Sequence, residues 1–286
     1  MTGTRRRTRT AAWRTAWTIG IGALLCTACT AGPEAQGSDG RLNRIIEQFE
    51  NGDIALAGEH LQVVSLEHNP FRMDDLEAFL GELESEGASR PRLAPLVRLA
   101  HEADQEYRHV VKQILDAGAM GIILPQVGNP ADATRFVQSM RYPPQRGTAY
   151  PEPRGVRGWA PIGAMRVWGL SPNEYAARAD VWPLNPDGEL LALAMIESRE
   201  AVANIEAILQ VPGISGIIVG PGDLSMALGV GTPAAATTAP EVEEVIETVG
   251  AACIRHEALC GIYYPASNIE ARSAQGFKLF PLPPIP

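Results

Sequence analysis

Residues 190–223 run LLALAMIESREAVANIEAILQVPGISGIIVGPGD. The first seven are apolar, up to Glu197, and show no polar alternation, as in a strand buried on both faces. Ser198 is placed to cap a helix over Arg199–Gln210. There Val202, Ile205, Ile208 and Leu209 share one face, and Pro212-Gly213 stops the pattern. SGIIVG (215–220) is a second buried strand, ending in the turn GPGD. Strand, helix and strand thus follow one another within this single stretch.

The same alternation extends in both directions. Short apolar runs recur as IALA (54–57), QVVSLE (62–67), PLVRLA (95–100), MGIILP (120–125), CGIYY (260–264) and FKLF (277–280). Helical patterns at 74–84, 104–117 and 241–257 precede the third, fourth and seventh of the eight runs. Eightfold strand–helix alternation predicts an α/β fold, a (β/α)8 TIM-type barrel, over an open sheet. In a barrel the C-terminal strand ends meet at one mouth. Glu67, His68, Arg98, Pro125, Glu197 and Asp223 stand at those ends and would share a pocket.

The chain has 286 residues, 45% apolar and 20% charged, which suits a globular protein with a substantial core. The net charge of -9 argues against nucleic acid as a partner, because phosphate contacts need Lys and Arg. Five arginines (Arg5, Arg6, Arg7, Arg9 and Arg14) lie in the first 29 residues, which contain no acid. Without them 19 basic residues face 33 acidic ones, a net of -14. The uncharged stretch TAWTIGIGALLCTA follows, too short at 1.5 Å per residue for a hydrocarbon core of ~30 Å. Residues 1–31 therefore read as an export signal, 32–40 as a polar linker and 41–286 as the barrel domain. Cys29, after Leu25, Cys26, Thr27 and Ala28, resembles a bacterial lipidation site, which would attach an extracytoplasmic protein to a membrane. Cys253 and Cys260 are read as buried small residues, since a bridge requires the helix to end before Cys260.

The segments SLEHNPF, LVRLA, QILDAGAMGIILPQV, RYPPQ and the long stretch from Met195 to Gly229 resemble the HpcH/HpaI aldolase/citrate lyase family, in that family's order. The resemblance implies a pyruvate-type barrel in which a divalent cation, Mg2+ or Mn2+, binds a 2-oxo acid. It implies Glu197 and Asp223 as metal ligands, and two carboxylates at neighbouring strand ends do suit a hard cation. Arg98, inside an apolar run, needs a carboxylate partner in the protein or the substrate; the resemblance makes it a substrate contact that steadies an enolate. The Gly220–Asp223 turn is either an ordinary tight turn or a nest of N–H groups for an anion. By resemblance Gly222 and Asp223 bind the 2-oxo acid carboxylate, and His68 is the acid–base group. Two positions depart from the family: Ser65, where Asp is common, and Met195, where Gln is frequent. A serine hydroxyl can hold an imidazole tautomer but cannot stabilise imidazolium. Lys112 and Lys278, the only lysines, leave metal chemistry better supplied than a Schiff base.

The activity expected is metal-dependent cleavage of a 2-oxo acid aldol adduct to a pyruvate-type product and an aldehyde. The alternatives are a citramalyl- or malyl-ester lyase and a non-catalytic carboxylate-binding barrel. Four residues between IALA and QVVSLE cannot hold a parallel crossover, so one run is not a strand or its helix is lost. The Pro-rich tail after FKLF cannot form a last helix. The resulting seam would be covered by the 42–49 helix or by another subunit of a homo-oligomer. The Pro- and Trp-rich insertion 142–186 is expected to pack as a lid that shapes substrate choice.

Overall fold

The computed structural model describes residues 40–70, 72–83, 90–147, 149–231, 239–263 and 268–281. The export segment and Cys29 lie outside the described residues. Eight strands form one parallel sheet: β1 (Ala55–Leu56), β2 (Leu61–Ser65), β3 (Ala94–Arg98), β4 (Gly121–Leu124), β5 (Leu191–Ile196), β6 (Gly216–Val219), β7 (Leu259–Ile262) and β8 (Leu279–Phe280). Their order is β1-β8-β7-β6-β5-β4-β3-β2, with every pair parallel. A single bridge, Ala57 to Leu61, brings the two edges together, so the barrel is nearly closed. Every residue of β3 to β7 is buried, as unalternating apolar runs require. Helices α2 (Met73–Glu82), α3 (Arg108–Ala117) and α4 (Pro130–Met140) alternate with the strands up to β5.

Between β5 and β6 the expected single helix is two, α7 (Arg199–Ala203) and α8 (Ile205–Leu209), which break at Asn204. Ser198 caps α7 through the Ala201 N–H, as predicted, and the Asn204 amide leaves the helix to donate to the Gly128 carbonyl at 2.8 Å. Next come α9 (Pro221–Leu228), α10 (Pro240–Arg255) and α11 (Ile269–Ala274). No helix of the described residues is long and apolar enough to cross a membrane.

The seam between β1 and β2 resolves one choice. Both runs are strands, and the crossover helix between them is absent. Gly58, with φ of 83°, opens a tight turn closed by His60 N–H to the Leu56 carbonyl at 2.9 Å. Residues 62–65 of β2 are consequently only half-buried. The first helix, α1 (Arg44–Glu50), packs against β1, one of the two strands of this seam, and its start floors the barrel. Its cap, Asn43, donates to the carbonyls of Met120 and Glu189 at 3.2 and 3.0 Å, just before β4 and β5. The Glu189 carboxylate accepts the N–H groups of Leu42 and Asn43, while Ile45 and Ile46 are fully buried.

The 142–186 insertion also differs from expectation. It packs, but not as a lid. It follows α4, so it leaves the barrel at the N-terminal end, opposite the mouth. Its helices α5 (Ile162–Trp168) and α6 (Pro172–Arg178) lie outside the wall, α5 against α2 and α3. Buried Arg141 holds Asp180 at 2.6 Å and the carbonyls of Pro151 and Pro153 at 2.7 Å. Arg157 reaches Asp116 at 2.7 Å and the Tyr175 hydroxyl at 3.0 Å, and Trp182 donates to Glu50 of α1 at 3.1 Å.

Cys253 and Cys260 are buried but are not free thiols. They form a disulfide, with Cα atoms 6.0 Å apart. The helix ends at Arg255, and Glu257 takes a left-handed φ of 49°, which turns the chain back into β7. Closing so short a loop is expected to contribute about 2 kcal/mol. Denaturant unfolding with and without reductant measures this directly, and identical midpoints would mean that the bond is not present in solution.

Candidate active site

Three strand ends and one helix start supply the charged groups at the mouth. Glu67 and His68 follow β2, Arg98 closes β3, Glu197 follows β5 and Asp223 lies in the first turn of α9. Arg98 is the hub. Its Nε forms an ion pair with Glu67, and its Nη2 lies 3.8 Å from Glu197 Oε2 and 3.9 Å from Asp223 Oδ2. The arginine is nearly buried, so the partner demanded by the apolar run is present three times over. A cavity of about 330 Å³ opens beside it, with His68, Met195, the Gly220–Asp223 turn and Tyr263 on its walls. A larger cleft of about 400 Å³ is walled by Tyr107, Arg108 and Arg135 and contains none of these mouth residues.

Glu197 is almost wholly buried. One oxygen accepts the Gln126 N–H at 2.9 Å, and the other has no hydrogen-bond partner among the described residues. Gln126 adopts φ of 55° to aim that N–H, a conformation costly for a non-glycine residue. Burial pushes the Glu197 carboxyl up to about 7, against the pull of the Gln126 N–H and Arg98. Burial also raises Glu67, opposed chiefly by Arg98. At Gly220 a Cβ would stand 2.7 Å from Glu197 Oε2 and 2.6 Å from Met195 Cε. Only glycine leaves the carboxylate its place.

These residues fit a divalent cation. Glu197 Oε2 is an orphaned buried oxygen, and Asp223, half-exposed, lies across the same guanidinium. No group of three or more His, Cys, Asp or Glu suited to a metal exists among the described residues. Two hard oxygen donors therefore suit an ion that keeps water and takes substrate oxygens.

A pH prediction follows from the raised Glu197. A carboxyl raised in the fold binds more protons there than when unfolded. The stability it costs is therefore fully lost above about pH 7 and is recovered as pH falls through that value. Wild-type protein is expected to lose stability relative to Glu197→Gln between pH 5.5 and 8, by a few kcal/mol, and Mn2+ should reverse the loss. Melting curves across this range test it; a pH-independent difference would overturn it.

His68 is exposed, with its Nε2 3.6 Å from Glu67 Oε2. Ser65 does not orient it: the Ser65 hydroxyl is buried without a hydrogen-bond partner among the described residues. The carboxylate beside the imidazole is Glu67, which the strand-end pattern places in the same pocket. Gln126 and Tyr263 are not marked by that pattern. Tyr263 was legible only as the end of an apolar run, and a backbone N–H leaves no mark in sequence.

Residues 60–279 match the family model for HpcH/HpaI aldolase/citrate lyase. The chain is 30% identical over 213 residues to 5-keto-4-deoxy-D-glucarate aldolase of Citrobacter koseri, covering 74% of this chain and 71% of that one. It is 33% identical over 195 residues to 2-keto-3-deoxy-L-rhamnonate aldolase of Klebsiella pneumoniae, covering 68% of this chain and 62% of the relative's length. Among solved structures, a HpcH/HpaI aldolase/citrate lyase family protein from Burkholderia cenocepacia superposes with a TM-score of 0.62 at 26% identity, over 78% of each chain. With the barrel, the strand-end charges and this match over most of its length, the chain belongs to the HpcH/HpaI aldolase/citrate lyase family.

Proposed function

We propose that this protein is a carbon–carbon lyase that cleaves the aldol adduct of a 2-oxo acid. The names of its relatives point to 2-keto-3-deoxy sugar acids as the substrate class. The observation that carries the reading is the convergence of Glu67, Glu197 and Asp223 on the single guanidinium of Arg98 at the barrel mouth.

Glu197 and Asp223 are the residues that would hold Mg2+ or Mn2+, which supplies Lewis acidity toward the oxygens of a 2-oxo acid. Gly222 and Asp223 present first-turn N–H groups of α9 to the substrate carboxylate. His68, at the exposed rim beside Glu67, takes the proton from the C4 hydroxyl. The C3–C4 bond then breaks, its electron pair passes to C2–C3, and the aldehyde departs. Arg98 steadies the enolate oxygen until C3 is protonated to give the pyruvate methyl group.

The test is deuterium exchange into the methyl group of pyruvate, with and without Mn2+. Metal-dependent exchange is expected. Tight pyruvate binding without exchange would sink the lyase reading in favour of a carboxylate-binding barrel, the reading that the disconnected Ser65 and apolar Met195 favour.

Export through residues 1–31, with lipid attachment at Cys29, belongs to the same proposal. The Cys253–Cys260 disulfide supports it, because such bonds persist in oxidising compartments. Mass spectrometry of the mature N-terminus would show a diacylglyceryl cysteine or refute it. A homo-oligomer is supported by the half-buried β2 and the missing crossover helix, and sedimentation reads the subunit number.

A further inference from the structure

Tyr263 follows β7 and donates its backbone N–H to the Val219 carbonyl at 3.1 Å, beside the Gly220–Asp223 turn. Its ring packs on the Arg98 guanidinium, 5.5 Å from the centroid. The ring forms part of the cavity wall that also carries Met195 and Asp223. Its hydroxyl oxygen is buried and has no hydrogen-bond partner among the described residues. Buried hydroxyls are rarely left unpaired, and the ring that carries this one lines the cavity. On the neighbouring wall Met195 offers only a thioether, a weak acceptor and no donor.

We propose that Tyr263 is a substrate-contacting residue whose phenol donates a hydrogen bond to the C2 oxygen of the bound 2-oxo acid. The proposal rests on the lyase reading of the site. An acid whose carboxylate lies on the Gly220–Asp223 turn carries its C2 oxygen toward Arg98, and Tyr263 covers that guanidinium. Burial raises the phenol above its ordinary range, with Arg98 opposing, so it stays protonated and acts as a donor. Charge grows on the C2 oxygen as the enolate forms, and the bond strengthens with it.

The experiment compares wild type with Tyr263→Phe, which keeps the ring on Arg98 and removes only the hydroxyl. Calorimetry gives the affinity for pyruvate and for propionate, which lacks the C2 oxygen, and deuterium exchange gives the rate. About a tenfold loss of pyruvate affinity or exchange is expected, with propionate affinity and melting temperature unchanged. A variant within twofold of wild type in both pyruvate readouts would overturn the assignment. So would equal losses for pyruvate and propionate, which indicate a structural role. Wild type that binds pyruvate without exchange sinks the lyase reading but still tests Tyr263 through affinity. Wild type that does not bind pyruvate removes both.

Discussion

Glu197→Gln is expected to lower aldol cleavage and pyruvate exchange by roughly a thousandfold or more, the scale of several kcal/mol of lost charge stabilisation. The substitution keeps the shape of the side chain and the space left by Gly220. It replaces a buried anionic donor by a neutral amide in a pocket where Glu197 already holds its charge against burial. Two effects then separate. Activity is expected to fall because the cation proposed for this site would lose one of its two carboxylates. Stability without metal rises above pH 7, because the costly buried charge is gone. Loss of activity with a gain in stability is the signature of a site built for function at the expense of folding. A variant that keeps its exchange rate, or that loses stability at high pH, would remove Glu197 from the role assigned to it.

The second large effect is expected at Arg98. Arg98→Met leaves Glu67 and Glu197 without their shared counter-charge in a nearly buried site. Breaking such a pair from one side costs about 3–5 kcal/mol, on the order of 10 °C in melting temperature for a domain of this size. The two carboxyls would be driven higher still, so the deficit should shrink as pH falls from 8 to 5.5. Arg98→Lys restores part of the stability, because a point charge can still neutralise one carboxylate. It should not restore exchange, because an ammonium cannot span three carboxylates as the planar fork does. Equilibrium denaturation paired with exchange rates distinguishes these outcomes. Equal stability of the Met variant and wild type would mean that Arg98 is not the electrostatic hub.

The strands were readable because burial on both faces leaves a plain mark. LLALAMIE contains β5, and SGIIVG contains β6. Their polar ends were readable for the same reason, since a charge that stops an apolar run stands where the strand leaves the core. The single helix expected over 199–210 is interrupted because Asn204 bonds across to the Gly128 carbonyl, a partner distant in sequence. The lid expectation for 142–186 failed for a topological reason. A segment after α4 begins at the N-terminal end of the barrel, and proline and tryptophan content carries no information about which end that is.

The sequence alone determined the barrel and placed Arg98, Glu197 and Asp223 at or just after strand ends, because periodicity and strand-end charge are local properties, and its motifs carried the family resemblance. The tertiary structure alone decided what these residues do to one another. It joined Glu67 to Arg98 and His68, left Ser65 unconnected, aimed the Gln126 N–H at Glu197 and laid Tyr263 on the guanidinium. It also bonded Cys253 to Cys260 and placed the start of α1 beneath β4 and β5. Each of these depends on a distance between residues far apart in the chain or on the end of a helix, and neither is written in the spacing of residue types.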